Sequence, residues 1–284
     1  MTKLVALIDG SDYSKSVCEY AAWIAKGVNG SVEIIHSLSR RDMPQETSDI
    51  SGSIGLGARS ALLEELAEID QQKAQLIQKR GRALLDDAVQ LIESKGIQNV
   101  EAKLRKDGLI DTLHDFEQDA ALILIGKRGQ SANYAASHLG SNMERVVRES
   151  KKPVFVASRA FKPIEKILLA FDGGKSALYA VEHLSKSTVF GGKTIHLLTV
   201  GSESEENKAA LEKASASLKT AGYTVSTEIV AGAPAEVISE KAKSDNYDML
   251  VRGAYGHSRI RSLIIGSTTT QLIRMCKIPV LMFR

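Results

Sequence analysis

DMLVRGAYGHSRIRSLIIGSTTT, residues 248–270, opens on an apolar run, Met249-Leu250-Val251, and turns at Gly253-Ala254-Tyr255-Gly256. Nine residues separate Gly256 from Gly266-Ser267-Thr268-Thr269, and a helical pattern through Leu272, Ile273 and Met275 follows. The stretch reads as a buried strand, a glycine-hinged loop and the start of a helix. The first N–H groups of a helix lack internal partners and suit an anion. Gly253 and Gly256, lacking a Cβ, let main chain come close to a ligand. Ser267, Thr268 and Thr269 add hydroxyls for capping or for phosphate. The whole reads as a phosphate cradle.

The opening of the chain shows what surrounds that cradle. Leu4 to Ile8 is an unbroken apolar run ending at Asp9-Gly10-Ser11-Asp12, as expected of a strand covered on both faces. A helical face through Val17, Tyr20, Ala21, Ile24 and Ala25 follows, closed by Gly27 and Gly30. Val32-Glu33-Ile34-Ile35-His36 is a second strand. Strand, helix and strand in this order predict a βαβ unit in a parallel sheet.

The same order recurs. Ile167 to Gly173 repeats the first strand at an offset of 163, and Ile195 to Val200 repeats the second, which sets Ser37 against Val200. Gly126-Lys127-Arg128-Gly129 pairs with Gly253 to Gly256 at 127, Gly140-Ser141 with Gly266-Ser267 at 126, and Pro153-Val154 with Pro279-Val280 at 126. Two series of motifs in one order identify a tandem duplication. The boundaries expected are 1–158 and 163–284, with Ser158 to Pro163 as linker. Each half predicts five strands. The first half adds Val100–Leu104, Ala121–Ile125 and Pro153–Ala157. The second adds Thr224–Val230, Met249–Val251 and Pro279–Phe283.

The fall in offset from 163 to 127 places 36 extra residues in the first half, between its second strand and Gly126. This insert, at about 40–80, holds a small-residue stretch from Ser51 to Gly57. It ends in a long helical pattern marked by Leu62, Leu66, Ile69, Leu76, Leu84, Leu85, Ala88 and Ile92. Its glycines have no preceding strand and no following Lys-Ser/Thr, so a flexible loop is expected there rather than a phosphate loop.

Composition excludes several classes. With 284 residues, 43% apolar and 25% charged, the chain is an ordinary globular protein of two-domain length. A net charge of +3 with few aromatics argues against nucleic acid. No apolar run is long enough for a signal peptide or a membrane span. Cys18 and Cys276 fall in apolar helical patterns without ligand spacing, so buried free thiols and a reducing, cytoplasmic setting are expected. No histidine pair has metal-ligand spacing, and no Gly-x-Ser-x-Gly elbow is present. Gly173-Gly174-Lys175-Ser176 fails as a Walker loop, because Leu169 stands where the first glycine is required. His257 lies inside the loop within reach of phosphate, while His36 and His196 are placed near strand ends.

Asp172 follows strand one of the second half, Val200 ends strand two and Gly253 ends strand four, so they converge where parallel sheets bind ligands. A carboxylate there repels phosphate. Asp172 therefore serves a ribose, a base or a metal, or else caps its helix.

The spacing Gly-x2-Gly-x9-Gly-Ser/Thr at Gly253, Gly256, Gly266 and Ser267 resembles the nucleotide-binding signature of the universal stress protein family, as does the wording Gly-Ala-Tyr-Gly-His-Ser-Arg at Gly253–Arg259. The resemblance implies an α/β fold of two tandem flavodoxin-like (adenine nucleotide α-hydrolase-like) domains, each with a five-stranded parallel sheet, paired along Val154–Ala157 and Val280–Phe283. It implies ATP, commonly with Mg2+, at Asp172, Val200, Gly253, Gly256, His257, Gly266, Ser267, Thr268 and Thr269.

The first half matches less closely, at Asp9, Ser37, Gly126, Gly129, Gly140 and Ser141. Ten residues separate Gly129 from Gly140, and Asn142 and Met143 replace two hydroxyls. Lys127 and Arg128 there suit a different anionic ligand. The turn after strand one in the second half reads as one residue shorter than its first-half partner. No residue is assigned as a general base. The functions expected are a stress-response ATP binder or slow ATPase, a non-catalytic protein-interaction scaffold or regulator with vestigial sites, or a carrier of another small ligand in the first half. The partners expected besides adenine nucleotide are a second copy in a homodimer or another protein.

Overall fold

In the computed structural model the described residues are 1–38, 56–129, 140–253 and 267–284, with side chains described from 64 and from 269 in the second and last of these. The first-half strands are β1 (Lys3–Ile8), β2 (Ser31–Ser37), β3 (Val100–Arg105), β4 (Leu122–Gly126) and β5 (Val154–Ala157). Its helices are α1 (Ser14–Val28), α2 (Leu56–Ser94), α3 (Leu109–Glu117) and α4 (Ser141–Glu149). The second half carries β6 (Lys166–Ala170), β7 (Thr194–Val200), β8 (Thr224–Val230), β9 (Met249–Gly253) and β10 (Val280–Phe283). Its helices are α5 (Lys175–Ser185), α6 (Glu205–Thr220), α7 (Pro234–Ser244) and α8 (Ser267–Met275).

All ten strands form one sheet, in the order β3-β2-β1-β4-β5-β10-β9-β6-β7-β8. Each half is thus a parallel sheet of order 3-2-1-4-5. The two join through β5 and β10, which run antiparallel with Val280 opposite Val156 and Met282 opposite Val154. The expected pairing along the last strands is what the sheet shows. The near-continuous apolar character of β1, β4, β5 and β10 follows, because helices cover both faces there. One layer packs α1, α2, α5 and α6 through Val17, Ala21, Leu85, Ile92, Val181, Leu184 and Leu211. The opposite layer packs α3, α4, α7 and α8 through Leu113, Met143, Val146, Ile238, Leu272 and Ile273.

The join is more than three strand pairs. Tyr20 of α1 packs at a tilt against Phe155 and edge-on against Phe161 at centroid distances of 4.9 Å each, and Trp23 meets Phe190 at 5.8 Å. Gly27 lies inside α1 rather than closing it. A Cβ there would sit 3.1 Å from Val189 Cγ2 and 3.2 Å from its Cα, so glycine allows α1 to approach the second half. The helix instead stops at Asn29, which takes the left-handed conformation at φ 48°. The Lys127 ammonium crosses the join to donate to the Cys276 carbonyl. In return Arg284 Nη1 donates to the Arg148 carbonyl at 2.8 Å. Each half thereby supplies a cation to the C-terminal end of a helix in the other, where carbonyls lack partners.

Cys18 and Cys276 are both buried and unbonded to one another, as expected. Burial pushes the Cys18 thiol up to about 12. Among the described residues no helix is long and apolar enough to cross a membrane.

Candidate nucleotide site

In a 3-2-1-4-5 sheet the chain leaves strand one in opposite directions toward strands two and four, opening a crevice between strands one and four at their carboxyl ends. Those pairs are β1–β4 and β6–β9. Because β5 and β10 are antiparallel, the two crevices open at opposite ends of the sheet.

In the second half, β6 runs out at Ala170 and the chain turns through Gly173, whose φ of 70° requires glycine. The Asp172 Oδ1 accepts the Gly174 N–H at 2.9 Å, an Asx turn that launches α5. Gly253, the last residue of β9, lies on the first turn of α5. A Cβ on it would be 2.7 Å from Ser176 Cβ and 3.1 Å from the Ala177 nitrogen. This contact brings the end of β9 against the turn that Asp172 opens. The Thr199 hydroxyl donates to the Phe171 carbonyl at 2.9 Å and fixes the end of β7, and so Val200, against the same turn.

Arg252 went unread in the sequence. It occupies a strand position otherwise apolar in the repeat, where the first half has Ile125. Burial holds its guanidinium down to about 10, and the Asp172 charge opposes that fall. Its Nε donates to the Gly253 carbonyl at 2.8 Å, and its Nη1 is buried without a hydrogen-bond partner. A charged residue directly after the apolar run Met249-Leu250-Val251, before the strand ends at Gly253, was the available signal. Thr269 lies on the inward stripe of α8 with Leu272, Ile273 and Cys276, at 1% exposure. Its first-half partner Met143 is equally buried. Gly256, His257 and Gly266 lie outside the described residues, as do the side chains of Ser267 and Thr268.

The first half builds the same turn. Gly10 has φ 77°, and Asp9 Oδ1 accepts the Ser11 N–H at 3.0 Å. A Cβ on Gly126 would be 2.6 Å from Tyr13 Cβ. Tyr13 therefore stands where the second half has Ser176, 163 residues on, and the two turns are of equal length. The apparent one-residue deletion came from matching Ser176 to Ser14. What differs is that α5 starts at Lys175, two positions earlier in the repeat than Ser14 starts α1.

The loop after β4 departs further. A Cβ on Gly129 would come within 2.6 Å of Asp9 Oδ2. The Ser11 hydroxyl donates to the Arg128 carbonyl at 3.3 Å, and Gly140 N–H donates to the Lys127 carbonyl at 3.4 Å. Main chain thus lies directly on the Asp9 carboxylate. Ser37 donates its hydroxyl to the Asp107 carbonyl at 2.7 Å, and Ser141 opens α4 behind Gly140. Lys127, expected to attract an anion, is instead buried against Cys276, and burial brings its ammonium down to about 8.

His36 and His196 serve structure. His36 Nδ1 pairs with the Ile8 carbonyl at 2.9 Å, the same contact that Thr199 makes with Phe171. His196 lies within β7 rather than at its end. It is held by Ser226 Oγ at 2.7 Å and Glu228 Oε2 at 3.1 Å. Burial lowers its pKa, so this is a hydrogen bond from a neutral ring.

Comparison with known proteins decides the family. The model of the universal stress protein family matches residues 1–158 and 201–284. The chain belongs to the universal stress protein family. Universal stress protein Slr1230 of Synechocystis sp. is 35% identical over 287 aligned positions, covering 100% of both chains. A universal stress protein of Methanocaldococcus jannaschii, MJ0577, is 30% identical over 80 residues, 28% of this chain and 49% of that protein. The crystal structure of a universal stress protein from Archaeoglobus fulgidus matches with a TM-score of 0.72 at 22% identity, over 99% of this chain and 98% of that one. That likeness supports the fold.

Proposed function

We propose that the second half of this universal stress protein binds an adenine nucleotide, ATP, in the crevice between β6 and β9. The observation that carries the reading is the seating of Gly253 on the first turn of α5. It places the end of β9, from which the Gly253-x2-Gly256-x9-Gly266-Ser267 sequence continues, at the switch point of the sheet near the Asp172 turn. The N-terminus of α8, with Ser267 and Thr268, takes the phosphates. Asp172 and the end of β7 at Val200 take the nucleoside. The partly buried Arg252, whose charge is coupled to that of Asp172, adds positive charge near the crevice.

Magnesium fits as a phosphate-borne ion rather than one in a protein cage, since among the described residues no three His, Cys, Asp or Glu side chains cluster. It would neutralise phosphate charge, with Asp172 the carboxylate at hand. The first half, whose Gly129 main chain covers Asp9, is proposed to be a structural partner without nucleotide. The domains are proposed to be 1–158 and 163–284.

The test is unfolding temperature with and without Mg-ATP. Ligand at about 100 times its dissociation constant stabilises the native state by roughly 2.7 kcal/mol, a shift of several degrees. The shift should persist in Asp9→Ala and vanish in Gly256→Val. No shift at saturating Mg-ATP in protein shown free of bound nucleotide would overturn the reading and favour a scaffold.

A further inference from the structure

The long helix α2 carries a feature absent from its repeat partner. It spans 39 residues against 16 in α6. Gly81 marks where α2 lands on the sheet. A Cβ there would be 2.7 Å from Leu104 Cδ1 and 3.2 Å from the His36 ring. From Gly81 onward Leu85, Ala88 and Ile92 are buried in the core. Before Gly81 the helix runs past the carboxyl end of β3, and two large apolar side chains face water there, Leu76 at 68% exposure and Ile69 at 39%. They are seven residues apart, so they share one face.

The charges on this segment are segregated. Glu64, Glu65, Glu68 and Asp70 come first with no base among them. Lys73, Lys79, Arg80 and Arg82 follow with no acid among them. Helix-dipole complementarity does not account for this, because the acids lie beyond the first turn. Within the helix the pattern is unfavourable, since Glu64 and Glu68 are like charges at i, i+4. Among the described residues the one ion pair within residues 64–82 is Lys73 with Asp70, at 3.8 Å.

We infer that this face is a homodimer interface, in which the 64–82 segment of α2 packs antiparallel on the same segment of a second copy. Set about a two-fold between Gln72 and Lys73, Ile69 of one copy lies opposite Leu76 of the other, and Glu65 opposite Arg80. An isologous contact makes both pairings twice. A parallel arrangement would put acid on acid, and a helix of uniform charge would lose the complementarity, so the self-match favours an antiparallel second copy. A helix pair of this length buries less than the roughly 800 Å² per partner of a standard interface, so the dimer is expected to be reversible.

The full-length protein should show concentration-dependent dimerisation in sedimentation equilibrium. Leu76→Glu and Glu65→Arg should each weaken it about tenfold or more, the equivalent of ~1.4 kcal/mol. The double variant E65R/R80E should recover it, because the swapped charges again face opposite ones. An equimolar mixture of E65R and R80E proteins should form a heterodimer. The proposal is overturned by a wild type that stays monomeric up to its solubility limit. A monomer in which a Leu76→Cys thiol is shielded from labelling would show that the chain covers its own face. A dimer indifferent to Leu76→Glu and to the charge swaps would place the interface elsewhere.

Discussion

The two halves share one plan and fill it differently. At the third residue of strand two the first half has Glu33 and the second His196, both nearly excluded from solvent. Glu33 is a buried anion clamped by Lys3 at 2.5 Å and by Lys103. Burial would raise its pKa, but the hydrogen bonds from Lys103 and Lys3 win and hold the carboxyl below the usual range. His196 solves the same problem by staying neutral. The surroundings of the two aspartates differ too, with main chain lying on Asp9 through Gly129 while Asp172 is coupled to the charge of Arg252. Duplication thus preserved the backbone turns and let the polar contents drift, as expected when packing constrains main chain more tightly than the side chains beside it.

The largest effect should come from filling the strand-four contacts that both halves keep. Gly253→Val and Gly126→Val each force a side chain onto the first turn of a helix or its cap, and overpacking of this kind costs about 1–3 kcal/mol or more. Chemical denaturation should show comparable losses. Equal losses would establish the turns as equivalent, and a much smaller loss in one would break the comparison.

Glu33→Ala should come next, at roughly 1–3 kcal/mol by urea unfolding, since it removes the shared acceptor of two lysines. Lys3 and Lys103 are partly exposed and can turn to water, which keeps the cost below that of a sealed pair.

Lys127→Met leaves the Cys276 carbonyl without its donor, a loss on the order of 1 kcal/mol. Its sharper signature should be a less cooperative unfolding transition, because Lys127 links α8 to the other half. A transition of unchanged steepness would show that β5–β10 pairing and the aromatic contacts suffice.

The smallest effect is the pH dependence separating Glu33 from His196. His196 has a folded pKa below its unfolded value of 6.5. The unfolded chain therefore takes up the proton first, and stability falls as pH drops below 6.5 toward the folded pKa. Glu33 is depressed from 4.5, so its contribution is present above 4.5 and lost as pH falls through the lower folded value. Stability measured against pH should show a smaller upper step in His196→Gln, the remainder belonging to His183, which burial also depresses from 6.5, and should keep the lower one. An unchanged upper step would assign it to another group.

Much of this was legible in one dimension. Apolar runs bounded by Asp-Gly turns located the strands, since a parallel strand buried on both faces admits few polar residues. The repeat pointed to two halves, each of which forms a parallel sheet of the same order. Residues deciding between cavity and contact were not legible. Lys127 reads as an anion ligand in a glycine loop, and only the antiparallel join places the Cys276 carbonyl within its reach. Gly27 reads as a helix stop, and only the approach of Val189 shows why a glycine is held inside α1. His36 and His196 look alike in sequence, yet their partners lie on β1 and β8, strands brought beside them by the sheet order.

The sequence by itself determined the duplication, the parallel α/β class and the glycine spacing of the candidate site, because these rest on local periodicity and on residues whose backbone needs are intrinsic. The tertiary structure decided what contacts each turn makes, since charge burial and close approach depend on neighbours distant along the chain. Whether a glycine admits a ligand or lies on an aspartate is a question of distance between strands, which no local pattern encodes.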